Sequence, residues 1–233
     1  MATAGPNTLA MWKLLQFTLC PFSRKVRLAL GEKGVGYEPL NEYPWARRDE
    51  FLDLNPAGQT PVMVDVERGH VLIDSIAICE YFEETVDRPS LINGSAIDRA
   101  ETRRLVAWFD QQFFRDVTGP LLVERMEKRL VHRMSPDTAV LREVMKAAVG
   151  HLDYIDYLLG HRTWLAGATL SLADLAAAAQ ISVADYLGGI DWKTHEQAKR
   201  WYVGMKSRPS FRPLLSERMD GIKPSAQYDS LDI

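Results

Sequence analysis

The stretch Thr18-Leu19-Cys20-Pro21-Phe22-Ser23-Arg24-Lys25-Val26 puts a thiol, two hydroxyls and two cations in one short run. An apolar run before it, Met11 to Phe17, reads as a strand. Apolar residues at helical spacing follow from Val26 to Lys33. Cys20 is thereby expected at a strand-to-helix turn, where outward-pointing N–H groups favour an anion or a thiolate. With Arg24 or Lys25 beside it, Cys20 is a candidate nucleophile. The same spacing is met by a small residue filling a corner that does no chemistry. Ser23 reads as a helix cap rather than a nucleophile. No second cysteine stands at position 23, so only single-thiol chemistry is on offer. Asp74-Ser75 is a second polar pair at a helix start: a site for an anion, or a start and nothing more. Cys79 lies among apolar neighbours in that helix and is assigned to the core. The five histidines have no metal-ligand spacing, with His132, His151 and His161 dispersed, so no metal is expected.

The elements that must position these groups can be read in order. After the strand comes a helix over 23–33, with Val26, Ala29 and Leu30 on one face and Arg24, Lys25, Arg27 and Lys33 largely on the other. Gly34-Val35-Gly36 stops it. A short strand over 37–41 follows, then Pro44 to Arg48 leads into a short helix ending near Leu54. Asn55 to Pro61 is a cluster of breakers. Strands at 62–66 and 71–73 flank Glu67-Arg68-Gly69-His70 as an antiparallel hairpin. Residues 10–85 thus read β-α-β-α-β-β-α, a small α/β unit. Residues 86–95 read as a linker and 96–217 as helices throughout; 218–233 is an extended tail. Pro136 marks a helix first turn. In the most apolar helix, 171–187, Ser171 caps, Asp174 returns the bond and Leu170 staples.

Bulk properties narrow the classes. The chain has 233 residues, 46% hydrophobic and 25% charged, enough for a substantial packed core. Net charge is −3, which offers no field for nucleic acid or an anionic membrane. Two cysteines cannot make a disulfide framework, which points to a reducing compartment. The first residues lack the pattern of a signal peptide. The longest apolar segment, 170–187, is broken by Asp174 and Asp185, so it is a buried helix and no integral membrane segment is expected. A cytoplasmic location is the expectation.

The α/β unit with its Cys-Pro-Phe turn, the Asn-Pro-x-Gly-x-x-Pro cluster, the hairpin and Asp-Ser together resemble the thioredoxin-like half of a glutathione transferase. The helical remainder, with its buried Ser-x-x-Asp box, is similar to the other half. The resemblance implies that Pro61 is a cis proline and that the backbone of Thr60 binds the cysteinyl part of glutathione. It further implies that Asp74 and Ser75 hold the γ-glutamyl end, although many members have Glu or Gln where Asp74 stands. Cys20 falls where some classes place a catalytic cysteine, as in the omega class and glutaredoxins.

Further motifs resemble a narrower group: Tyr43-Pro44-Trp45-Ala46-Arg47-Arg48, Leu105 to Asp110, His151 to Ile155, Lys206 to Leu215, and the tail from Tyr228. They resemble the transferase-like bacterial division proteins that bind the tubulin homologue FtsZ. That group is homodimeric and regarded as non-catalytic. Its members often end in Leu-Asp-Phe, where this chain has Leu231-Asp232-Ile233. The resemblance implies binding to FtsZ polymer at the division site, with no cofactor. The partner surface is expected at Trp45, Tyr228, Leu231, Asp232 and Ile233; the alternative for the tail is that it docks back on its own domain. Trp45 beside two arginines has the composition of an interface anchor, or else packs on the first helix. The rival reading is a glutathione-dependent transferase or thiol reductase that uses Cys20.

Overall fold

Leu14 and Leu15 divide the two faces of a four-stranded sheet. In the computed structural model, which describes residues 12–231, β1 (Trp12–Gln16) lies centrally in the order β2-β1-β3-β4. It pairs in parallel with β2 (Glu38–Asn41) and antiparallel with β3 (Val62–Asp65), which pairs antiparallel with β4 (Val71–Ile73). Side chains alternate across a strand. Leu15 therefore meets Val62 and Phe51 of α2 (Asp49–Leu54) in a small cluster, while Leu14 joins the main core with α1 (Pro21–Lys33) and α3 (Ser75–Thr85).

The element order expected for the α/β unit is present, with the strands slightly shorter. Met11 lies outside the described residues. The run from Pro44 leads into α2 as expected, and itself forms a single 3₁₀ turn, Pro44–Ala46.

Two expectations for α1 are corrected. The helix starts at Pro21, so Cys20, not Ser23, is its N-cap. Proline suits this first position, having no N–H to leave unpaired. Its basic residues are not a solvated face either. Arg24 and Lys25 are fully buried, and Arg27 and Lys33 nearly so. The helical half covers that side of α1, and each cation finds a distant partner. Lys25 pairs with Asp110, Arg27 with Glu217, and Lys33 with Glu83 at 2.9 Å.

Residues 86–95 are held rather than free. Lys33 Nζ donates to the carbonyls of Val86 and Pro89, and Glu83 accepts from the backbone of Leu91 and Ile92. Beyond them α4 (Ala96–Ala107) begins on a capping box from Ser95 and Asp98. The chain stays helical to Leu130, through a wider-wound stretch Trp108–Thr118, α5 (Gly119–Leu122), a second such stretch Val123–Glu127 and α6 (Lys128–Leu130). There the Gly119 N–H reaches back five residues, to Phe114. Pro120, which has no N–H, sits beside this departure from regular winding.

Asp137 rather than Pro136 starts α7 (Thr138–Leu159). The buried helix α8 (Leu172–Tyr186) opens as expected: Asp174 accepts from the Ser171 N–H and hydroxyl, and also from Leu165 N and Trp201 Nε1. Two more helices, α9 (Glu196–Lys206) and α10 (Arg212–Ser216), lead to the C-terminal segment. Among the described residues, no helix is long and apolar enough to cross a membrane.

Candidate functional site

Two clefts meet at Thr60, where the two halves of the chain face each other. The first, of about 340 Å³, is lined by Thr60, Pro61, Asp74, Ser75, Asp110 and Gln111, among others. The second, of about 360 Å³, contains Cys20, Trp45, Phe17, Phe114, Leu122 and Met126. The four residues assigned to a glutathione site thus share one cleft, and the thiol opens on its neighbour.

The breaker cluster builds the corner between them. Asn55 accepts from Ala57 N and donates to Gln59 O, and the Thr60–Pro61 peptide bond is cis, as the resemblance implied. The Thr60 carbonyl accepts from Cys20 Sγ at 3.4 Å, and Cys20 Sγ in turn accepts from Ser23 N at 3.4 Å. Cys20 is 8% exposed. Neither cation expected to support a thiolate is bonded to it. Arg24 donates instead to Thr18 O, Ser182 Oγ and Tyr228 OH. Lys25 donates to Asp110.

Asp74 sits at φ 71°, a left-handed conformation that costs a residue with a Cβ on the order of 1 kcal/mol or more. Its carboxylate accepts from Ile76 N at 2.6 Å and Ala77 N at 3.4 Å, so it caps its own helix. One carboxylate oxygen is thereby committed before any ligand arrives. The other carboxylate of this cleft was missed in the sequence. Burial pushes the Asp110 carboxyl above the usual range, and Lys25 opposes the shift. An acid beside Phe109 and Phe113 in an apolar helical run was the available signal; the identity of its partner was not.

Trp45 is 37% exposed and stacks edge-on against Phe17, ring centroids 5.2 Å apart, with Tyr43 at 5.3 Å. It is therefore packed on the aromatic ring at the strand end, part-exposed in the cleft that it shares with the thiol.

The C-terminal segment needs a correction. Tyr228 was expected to await a partner, but it is fully buried, and its hydroxyl donates to Leu214 O. An aromatic ring with one polar tip gains more in a slot with a carbonyl at its end than in water. Leu231 is 47% exposed. Asp232 and Ile233 lie outside the described residues.

Comparison with known proteins fits this geometry. Residues 19–85 match the glutathione S-transferase N-terminal domain. The chain is 48% identical to FtsZ-localized protein A of Caulobacter vibrioides over 94% of its own length and 97% of that protein's. The chain belongs to this glutathione-transferase-fold family. The structure of FzlA from C. crescentus superposes with a TM-score of 0.93 at 47% identity, covering 95% of this chain and 99% of that one. The crystal structure of a glutathione S-transferase from Rhodospirillum rubrum F11 is equally similar, with a TM-score of 0.93 at 47% identity over 96% and 100% of the two chains. The architecture is therefore that of a glutathione transferase, an α/β N-terminal half joined to an all-helical one.

Proposed function

We propose that this protein is a non-catalytic homodimer that binds FtsZ polymer in the cytoplasm, at the division site, and organises filaments there. The observation that carries the reading is its 48% sequence identity to FtsZ-localized protein A over nearly the whole of both chains. Trp45, half open on an aromatic base, and Leu231, exposed just beyond the buried Tyr228, are the anchors we assign to the partner, together with Asp232 and Ile233. A dimer carries two such surfaces. Two weak attachments on one molecule bridge filaments through effective concentration alone. No cofactor takes part.

Co-sedimentation of the full-length protein with FtsZ polymer tests this. The wild type should pellet with polymer, and Trp45→Ala should weaken the association about tenfold or more while keeping the fold, as loss of an aromatic anchor does. A variant lacking residues 231–233 should also bind less; it leaves Tyr228 in place. A wild-type dimer that stays in the supernatant would sink the proposal.

The rival reading, glutathione chemistry at Cys20, is favoured by one observation: the thiol bonds the carbonyl of Thr60, which lines both clefts. Calorimetric titration with millimolar glutathione separates the two. Heat that is lost in Cys20→Ser and Ser75→Ala would move the assignment to an enzyme.

A further inference from the structure

Among the described residues, Arg24 is a buried cation without an ion-pair partner. Its side chain is fully buried, and the groups it bonds are the Thr18 carbonyl, the Ser182 hydroxyl and the Tyr228 hydroxyl. Its second terminal nitrogen, Nη2, is buried with no hydrogen-bond partner among the described residues. What offsets this burial is a set of dipoles and two aromatic faces: the guanidinium lies 5.9 Å from the Tyr186 ring and 5.8 Å from the Tyr228 ring. Tyr228 thus supplies both a hydroxyl and a ring. It comes from the C-terminal segment, 204 residues away in sequence.

That segment is tied down from Ser225 to Ser230. Ser225 N donates to Tyr186 O, and Gln227 Nε2 donates to Asp185 Oδ1 at 2.8 Å. Lys206 Nζ caps the carbonyls of Gln227 and Ser230. At the other end of the same chain of contacts, Arg24 Nε holds Thr18 O at 2.9 Å, and Arg24 N bonds Cys20 O at 3.0 Å. Thr18 to Cys20 is the corner whose thiol opens on the cleft shared with Trp45.

We propose that the C-terminal segment is a strap that holds the Cys20 corner closed, acting through Tyr228 and Arg24. Withdrawing Tyr228 leaves a buried charge short of a hydroxyl and a π face. The first turn of α1 then moves toward solvent to hydrate it, and Thr18 is released with it. A pull on Leu231, three positions beyond Tyr228, therefore opens the cleft that Trp45 lines. The inference stands apart from the identity of any partner. Linkage makes it reciprocal: a group forced into the Cys20 corner loosens the strap by the same free energy.

Alkylation of the native full-length protein with iodoacetamide, read by mass spectrometry, tests the coupling. Cys79 is the internal control: it is 4% exposed, burial pushes its thiol up to about 12, and it reacts only when the core opens. Tyr228→Phe keeps the ring and removes the hydroxyl. Loss of a hydrogen bond to a charged group should speed Cys20 about tenfold, with Cys79 unchanged. Tyr228→Ala should speed it further. Conversely, alkylated wild type should exchange the Ser225 and Tyr228 amide hydrogens faster than unmodified protein. An unchanged Cys20 rate in folded Tyr228→Phe overturns the proposal. So does a parallel rise of both cysteines, which marks global loosening only.

Discussion

Adjacent residues of α1 bury two positive charges by opposite means. Lys25 meets a carboxylate, Asp110, in an ion pair that both partners need. Arg24 meets none among the described residues, and is surrounded by a carbonyl, two hydroxyls and two rings. The first arrangement is a lock: taking away either half strands the other. The second is a socket: taking away the cation strands no charge and leaves only the Thr18 carbonyl short of a donor, because Tyr228 OH still donates to Leu214 O and Ser182 Oγ to Ala179 O. Charge burial therefore does not predict fragility by itself; the chemistry of the partner does.

The comparison can be broken at three points. The largest effect should come from Lys25→Met, which leaves the Asp110 carboxylate buried alone. A loss of about 3–5 kcal/mol is expected from urea unfolding, and Lys25→Met with Asp110→Leu should recover most of it. A double variant no better than the single one would show that the pair is not the source of the loss. Arg24→Met should cost less, about 1–2 kcal/mol, because no opposite charge is stranded. Equal losses at positions 24 and 25 would erase the distinction.

The smallest effect is expected at Glu101, a part-exposed carboxylate that provides the surface counterpart. It accepts from Arg104 and Arg162, and the Arg104 guanidinium above all holds its carboxyl down at about 2. A depressed folded value contributes stability that is full above the ordinary 4.5 and is lost as pH falls from there toward 2. Solvent screening reduces the contribution to about 1 kcal/mol. Glu101→Gln should thus be less stable than wild type at pH 7, with the gap closing by pH 2. A gap that is constant with pH would assign the loss to packing.

How much of this was legible in the sequence depended on how local the cause is. The box at Ser171 and Asp174 could be read because both partners lie within one turn. The order of strands and helices followed from apolar spacing, and the corner at Pro61 from motifs quoted with it. The cations of α1 could not be read. Arg24, Lys25, Arg27 and Lys33 look like a wet face, since their partners Tyr228, Asp110, Glu217 and Glu83 lie 50 to 204 positions away. Tyr228 was misplaced for the same reason: the slot that receives it is made by α1, α8 and α10 together. The wider winding at Trp108–Thr118 has no residue pattern that announces it.

Lys33 and Glu83 have a consequence for how the molecule comes apart. They grip residues 86–92 from the N-terminal half while α1 carries its other cations into the helical half. Melting either half alone would expose charges that the other half neutralises. Heating should therefore produce one calorimetric peak, with the van't Hoff and calorimetric enthalpies equal, rather than two successive ones.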